Sequence, residues 1–318
     1  MYYLGIDLGG TNIAAGIVDE KMNLIYKTSI PTEAKAGAET IIARMAEVAK
    51  LAIKGAGITE ADVKSIGIGS PGSIDPEQGM VIYANNLGFY DLPMADMLGE
   101  YFPGKPIYIE NDANVAAWAE AKCGAAAGVR DSVTITLGTG VGGGMVIISK
   151  LYSGFNHAGA EMGHIVIKEG GRPCTCGRKG CWEAYASVTG LIKTTQEHME
   201  KNPDTLMWKL AGGSLDKVNG LTSFDAMRKG DEEGKKVVDE YLHSVATGLV
   251  DIINILQPEI ICIGGGISKE GDYLLKPIKE YADKEMYARY NKVKTEIRIA
   301  KLGNDAGIIG AALLESNR

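Results

Sequence analysis

The sequence predicts an α/β protein of two domains, built by duplication of one α/β unit. Three observations carry this. Strand-like apolar runs alternate with amphipathic helical stretches, which produces partly parallel sheets. Two glycine-centred hairpins of similar layout recur, one at the N-terminus and one beyond residue 130. The chain has 318 residues, 45% of them hydrophobic, and that exceeds the size at which one core usually serves.

Tyr3–Asp7 reads as a strand, Gly9-Gly10-Thr11 as a turn and Ile13–Val18 as the returning strand. Glu39–Lys54 carries Ile41, Ile42, Met45, Val48 and Ala49 at helical spacing and stops at Gly55. Val63–Gly69 is a strand closed by Ser70-Pro71-Gly72. The strand Ile107–Ile109 ends in Glu110-Asn111-Asp112, and a helix follows from Ala113 to Cys123. Val133–Leu137, Gly138-Thr139-Gly140 and Gly142–Ile148 repeat the opening hairpin. A long helix covers Asp231 to Leu256, and the strand Ile260–Ile263 runs into Gly264-Gly265-Gly266. After a further helix come the strand Glu296–Ile299 and a last helix, Asp305–Glu315. The expected boundary lies near residue 111. Residues 1–111 with 303–318 form a small α/β domain, residues 112–302 a large one, and the final helix packs back on the first.

Composition narrows the function classes. The net charge is −7 and no basic block stands out, which argues against nucleic acid or an anionic membrane as partner. Glycine accounts for 42 of 318 residues, nearly twice the usual share of roughly 7%, and clusters at loops, so backbone-lined sites are expected. Ser132–Ser149 carries no charge. Its five glycines divide two short apolar blocks, as in a strand-turn-strand and not a membrane span. The N-terminus lacks the pattern of a secretory signal. A cytoplasmic setting is expected, with thiols kept reduced.

Three of the five cysteines, Cys174, Cys176 and Cys181, fall within eight residues, downstream of His164. One imidazole and three thiolates supply the four soft donors of a closed tetrahedral zinc site. With no position left for water, the metal, one structural Zn²⁺, would stabilise a loop and would not do chemistry. A disulfide is the alternative, but Cys174 and Cys176 are too close for an ordinary one.

The glycine turns offer main-chain N–H groups that an anionic oxygen can reach, and Thr11 and Thr139 add hydroxyl donors. Each alone is also what a tight hairpin needs. Together with Gly265 and Gly266 they could enclose one nucleotide, although neither a P-loop nor a dinucleotide fingerprint is present. Asp7, at the end of the first strand, is placed to hold a divalent cation through waters. Asn111-Asp112 is either an ordinary N-cap or a carboxylate base just beyond a strand end, where α/β sheets place ligands. Glu161 and Glu183 flank the cysteine knuckle, which would fix the backbone carrying them. His164 could bind metal through one ring nitrogen and donate from the other.

These motifs give the chain its likeness. Asp7-Leu8-Gly9-Gly10-Thr11-Asn12, Glu110-Asn111-Asp112-Ala113-Asn114, Leu137 through Gly144, Glu161-Met162-Gly163-His164, the cysteine knuckle through Glu183, and Gly264-Gly265-Gly266-Ile267-Ser268 together resemble the ROK family of sugar kinases and related repressors. That family belongs to the actin-like ATPase and hexokinase superfamily, with its duplicated RNase-H-like fold. Within the family the chain is most similar to bacterial glucokinases. The resemblance implies transfer of the γ-phosphoryl group of ATP, with Mg²⁺, to the 6-hydroxyl of a hexose. Glucose is the first expectation; N-acetylmannosamine, N-acetylglucosamine, fructose, mannose and allose are the alternatives. It implies Asp112 as the base and Asn111, Glu161, His164, Glu183, Gly72 and Asn86 as further sugar ligands. It implies Asp7, Gly9, Gly10, Thr11, Asn12, Gly138, Thr139, Gly140, Gly265 and Gly266 around the nucleotide, and a homodimer. A family repressor would carry a DNA-binding domain ahead of the first strand, for which a strand starting at Tyr2 leaves no room. Two departures bear on the sugar: Ala160 stands where many members have Gly, and Phe89 where Trp is frequent.

Overall fold

The computed structural model describes residues 1–317. Its strands are β1 (Tyr2–Leu8), β2 (Asn12–Asp19), β3 (Leu24–Pro31), β4 (Val63–Ser70), β5 (Ser73–Asp75), β6 (Met80–Ala84), β7 (Phe89–Leu92), β8 (Ile107–Asn111), β9 (Ser132–Leu137), β10 (Val141–Ile147), β11 (Lys150–Tyr152), β12 (Ile260–Gly264) and β13 (Glu296–Ile299). Its α-helices are α1 (Ala38–Gly55), α2 (Met94–Gly99), α3 (Asp112–Cys123), α4 (Glu183–Ala186), α5 (Val188–Lys201), α6 (Leu206–Leu210), α7 (Thr222–Arg228), α8 (Glu232–Leu256), α9 (Asp272–Glu285) and α10 (Ala306–Ala312).

Two five-stranded sheets repeat one plan. The first has the order β3-β2-β1-β4-β8; β1 and β3 lie antiparallel to β2, while β4 lies parallel to both β1 and β8. The second runs β11-β10-β9-β12-β13, with β10 and β11 antiparallel and β12 and β13 parallel. Each sheet opens with one of the glycine hairpins. The inner parallel strands are buried on both faces, which is why β4 and β12 read as nearly unbroken apolar and glycine runs. A small antiparallel sheet, β5-β6-β7, is inserted after β4.

The chain forms two compact units. One comprises Met1–Thr134, Gly144–Ala160 and the segment from Ala300 onward; the other comprises Ile135–Gly143 and Glu161–Ile299. The sequence placed α3 in the second domain, beyond a boundary near residue 111, and the structure places it in the first. The cause is close packing against α10. Alternate residues of a strand face opposite sides, so Leu4, Ile6, Ile66 and Ile68 join the apolar face of α1 in one core. Gly5 and Gly67 point the other way. A Cβ on Gly5 would lie 1.9 Å from the Ile308 carbonyl oxygen, and one on Gly67 1.8 Å from that of Ala311. On the far side of α10, a Cβ on Gly310 would lie 1.8 Å from the Val115 carbonyl oxygen of α3. Helix α10 is therefore wedged at backbone contact between sheet and α3, an approach that only glycine permits. Trp118 Nε1 donates to the Leu313 carbonyl at 3.0 Å. The buried Glu120 carboxylate accepts from the amides of Ala125, Lys301 and Leu302.

In the second unit α8 is the spine. The Asp231 side chain caps it by accepting from Gly234 N at 2.6 Å, and Gln257 closes it in the left-handed region. Trp182 lies against Gly248 of α8 and donates to the Ser244 carbonyl at 2.9 Å. Among the described residues no helix is long and apolar enough to cross a membrane.

Candidate functional site

In the first unit the candidate residues gather at the ends of β1, β4 and β8. Asn111 is the N-cap of α3, and its side-chain oxygen accepts from the amides of Ala113 and Asn114 at 2.9 and 3.2 Å. Its amide nitrogen donates to the Gly72 carbonyl at 3.1 Å. Gly72 has φ +101°, and a Cβ there would lie 2.1 Å from the Tyr83 carbonyl oxygen, so the turn requires glycine. Asp112 opens α3 and accepts from Ala113 N at 2.8 Å. Water reaches Asp112, yet the crowding around its carboxyl desolvates the charge and raises its pKa, against the opposing pull of the Ala113 amide. Asp7, on β1, is pushed up to about 6, first by burial and then by the charge of Asp112. Two carboxylates thus share one end of the sheet.

The tip of the first hairpin is held from below. Gly9 N donates to the Asn12 carbonyl at 3.0 Å, and Thr32 N to the Thr11 carbonyl at 2.8 Å. The buried Thr32 hydroxyl donates to the Gly9 carbonyl at 2.6 Å. Gly10, Thr11 and Asn12 stay exposed. A Cβ on Gly10 would lie 3.5 Å from Asn86 Nδ2, so Asn86 borders the same tip. Phe89, the second of the two departures, starts β7 and points inward. It is 2% exposed and sits in the core beneath the small sheet, where its bulk fills space.

In the second unit the metal-type donors converge. The ligand atoms of His164, Cys174, Cys176 and Cys181 all lie within 4.8 Å of one another. His164 Nδ1 is 3.6 Å from Cys174 Sγ, and the Cys176 and Cys181 sulfurs are 3.6 Å apart. Burial, chiefly, pushes the Cys181 thiol up to about 12. One imidazole and three sulfurs at this spacing fit a tetrahedral Zn²⁺.

Glu183 adjoins that cluster. One carboxylate oxygen is 3.8 Å from Cys174 Sγ, and the other accepts from Val141 N at 3.0 Å. A Cβ on Gly140 would lie 2.4 Å from that second oxygen, so the glycine of the hairpin is what admits the carboxylate. Gly163 packs against the Val141 carbonyl with no room for a side chain, which brings the Met162–His164 turn and the exposed Glu161 beside the same strand start. The Gly138–Gly140 tip is braced by Val188 N on the Gly138 carbonyl and by Thr189 Oγ1 on that of Thr139, at 2.8 and 2.7 Å. Gly265, with φ +88°, lies against the Leu137 backbone next to this tip. A cavity lined by Thr139, Gly140, Arg172, Cys174, Glu183 and Lys193 opens between hairpin and knuckle.

Thus each unit brings together the residues the sequence nominated within it. Sequence reasoning missed Thr32, Thr189 and Arg172, the side chains that hold these loops. Only Thr189 had a local signal, lying two residues after the cap Ser187 that starts α5.

The model of the ROK family matches residues 3–318. The chain belongs to the ROK family. It is 38% identical to the glucokinase of Halalkalibacterium halodurans, over 98% of this chain and 94% of that one. It is 37% identical to the glucokinase of Thermotoga maritima, over 99% and 97% respectively. Among solved structures, the ROK glucokinase of Streptomyces griseus in complex with glucose and AMPPNP superposes with a TM-score of 0.82 at 34% identity, covering 99% of both chains. The likeness to these glucokinases thus runs over nearly the whole chain.

Proposed function

We propose that this protein is an ATP-dependent hexokinase that transfers the γ-phosphoryl group of ATP to the 6-hydroxyl of glucose. The observation that carries this is the crowded carboxylate of Asp112 at the β8–α3 junction, in a chain collinear with glucokinases. Phosphoryl transfer passes through a loose transition state, so positioning and charge stabilisation matter more than a strong base. Asp112 accepts the proton of the 6-hydroxyl as the bond to phosphorus forms, and its raised pKa makes it a better acceptor than an ordinary carboxylate.

Asn111, Gly72, Asn86, Glu161, His164 and Glu183 serve as further sugar ligands. A carboxylate has about four acceptor sites, so Glu183 can keep its bond to Val141 N and still accept from a sugar. The exposed amides around Gly9, Gly10, Thr11 and Asn12, with Gly138, Thr139, Gly140, Gly265 and Gly266, take the nucleotide. Mg²⁺ arrives with ATP, supplies charge neutralisation on the phosphates, and would be held through waters by Asp7. Zn²⁺ on His164, Cys174, Cys176 and Cys181 would be structural. A cytoplasmic homodimer is part of the same reading; light scattering tests the dimer.

ADP release measured by a coupled assay across a hexose panel, on repurified protein of known zinc content, tests the function. Glucose should be turned over best and 6-deoxyglucose not at all. Efficient turnover of 6-deoxyglucose, or indifference to every hexose, would refute the reading.

A further inference from the structure

We infer that Arg172 is a positioning residue for Glu183, locking the carboxylate's helix in place independently of the metal. The inference rests on the proposed role of Glu183 as a sugar ligand.

Glu183 begins α4, a helix of only four residues. So short a helix has no stability of its own and keeps its place only through outside contacts. On one side Trp182 and Tyr241 tie it to α8, the Tyr241 hydroxyl donating to the Ala186 carbonyl at 3.0 Å. On the other side stands Arg172. Its Nη1 lies within hydrogen-bond reach of the Ala184 carbonyl, the Gly190 carbonyl and Thr194 Oγ1, at 3.3, 3.4 and 3.0 Å. Its Nη2 donates to Glu197 Oε2 at 2.6 Å.

The guanidinium therefore joins the residue after Glu183 to the first three turns of α5, and its side chain is only 12% exposed. The rest of Arg172 grips the knuckle. Its amide donates to the Tyr185 hydroxyl at 2.7 Å, its carbonyl accepts from Gly180 N at 2.8 Å, and the guanidinium lies 5.0 Å from the Tyr185 ring centroid. A Cβ on the preceding Gly171 would lie 2.1 Å from that hydroxyl, so the approach depends on glycine. None of these contacts passes through a cysteine. A planar fork with donors in several directions is what Arg offers and Lys does not.

The test compares Arg172→Lys with the parent by steady-state kinetics, zinc stoichiometry and thermal melting. The expected result is a KM for glucose raised about tenfold, with the KM for ATP and the bound zinc unchanged. Lysine keeps the charge opposite Glu197 but cannot span the other three acceptors. A Thr194→Val/Glu197→Gln double variant, which leaves Arg172 in place, should give a smaller rise of the same kind and serves if the lysine variant fails to fold. Loss of zinc, an equal rise in both KM values, or an unmoved glucose KM would overturn the inference. Glu183→Gln separates the two readings. If it raises the glucose KM while Arg172→Lys does not, only the positioning role falls; if it too leaves the glucose KM unmoved, the sugar role of Glu183 falls with it.

Discussion

Asp112 and Asp7 share one end of the sheet, and desolvation raises the pKa of each, with the Asp112 charge adding to the rise at Asp7. Asp112→Asn keeps the size and the acceptor to Ala113 N but removes the proton acceptor. It should lower kcat by roughly 10²–10⁴, with ATP binding and the melting temperature retained; a change of less than about threefold in kcat would refute the base role. In the parent, protonation of Asp112 on acidification should place the acid limb of kcat/KM above the ordinary carboxylate range. Asp7 makes a separate prediction about stability. Its folded pKa, about 6, lies above the ordinary 3.8, so the fold favours the protonated form. The stability this contributes is fully present below 3.8 and is lost as pH rises through 6. The melting-temperature advantage of Asp7→Asn over the parent should therefore widen between about pH 5 and about pH 8, and a constant difference would contradict the assignment. At this scale the sequence was informative. Asn111 is the cap that its residue type favours, and Asp112 beside it is the crowded carboxylate proposed as the base. Ala160 adds a structural reason for the family's frequent glycine: its φ is +67°, where a Cβ is disfavoured by about 1–2 kcal/mol.

At the scale of elements, two devices hold the candidate loops. One is the knuckle, in which Cys181 is fully buried beside Cys176. A metal bound there would take up the thiolate charge and couple its binding to the stability of the loop. Cys176→Ser, or chelation of the parent, should lower the melting temperature and weaken glucose binding together, since Cys174 adjoins Glu183. Unchanged glucose affinity in metal-free, folded protein, measured by calorimetry, would contradict this. The other device is the glycine seam of α10. Gly310→Ala would push a Cβ into the Val115 carbonyl, where the backbone cannot yield, and should destabilise the protein by about 3 kcal/mol or more. Denaturant unfolding within about 0.5 kcal/mol of the parent would show that the seam relaxes. The hairpins and the knuckle were legible because each is a local pattern of apolar, glycine and cysteine residues. The seam was not. Gly5, Gly67 and Gly310 are isolated in sequence, and only long-range packing shows that they meet one helix and reassign α3. Arg172 was missed for the same reason, the hydrogen-bond partners of its guanidinium lying 12 to 25 residues away.

At the scale of the whole molecule, one α/β plan occurs twice, and each copy presents the tip of a glycine hairpin at the strand ends of its sheet. The first copy supplies the acidic end with Asp7 and Asp112, and the second supplies the knuckle with Glu183. In the proposed mechanism Asp112 would take the proton, for which a raised pKa suits it, and Glu183 would accept from sugar hydroxyls, for which a fixed carboxylate suits it. The likeness to ROK glucokinases over nearly the full chain is what supports phosphorylation of a hexose. The most direct test of the account is a crystal structure of the protein with glucose. The sugar's 6-hydroxyl should lie at hydrogen-bond distance, about 2.6–3.2 Å, from the Asp112 carboxylate. Glucose bound with that hydroxyl turned away from Asp112, or bound elsewhere, would contradict it.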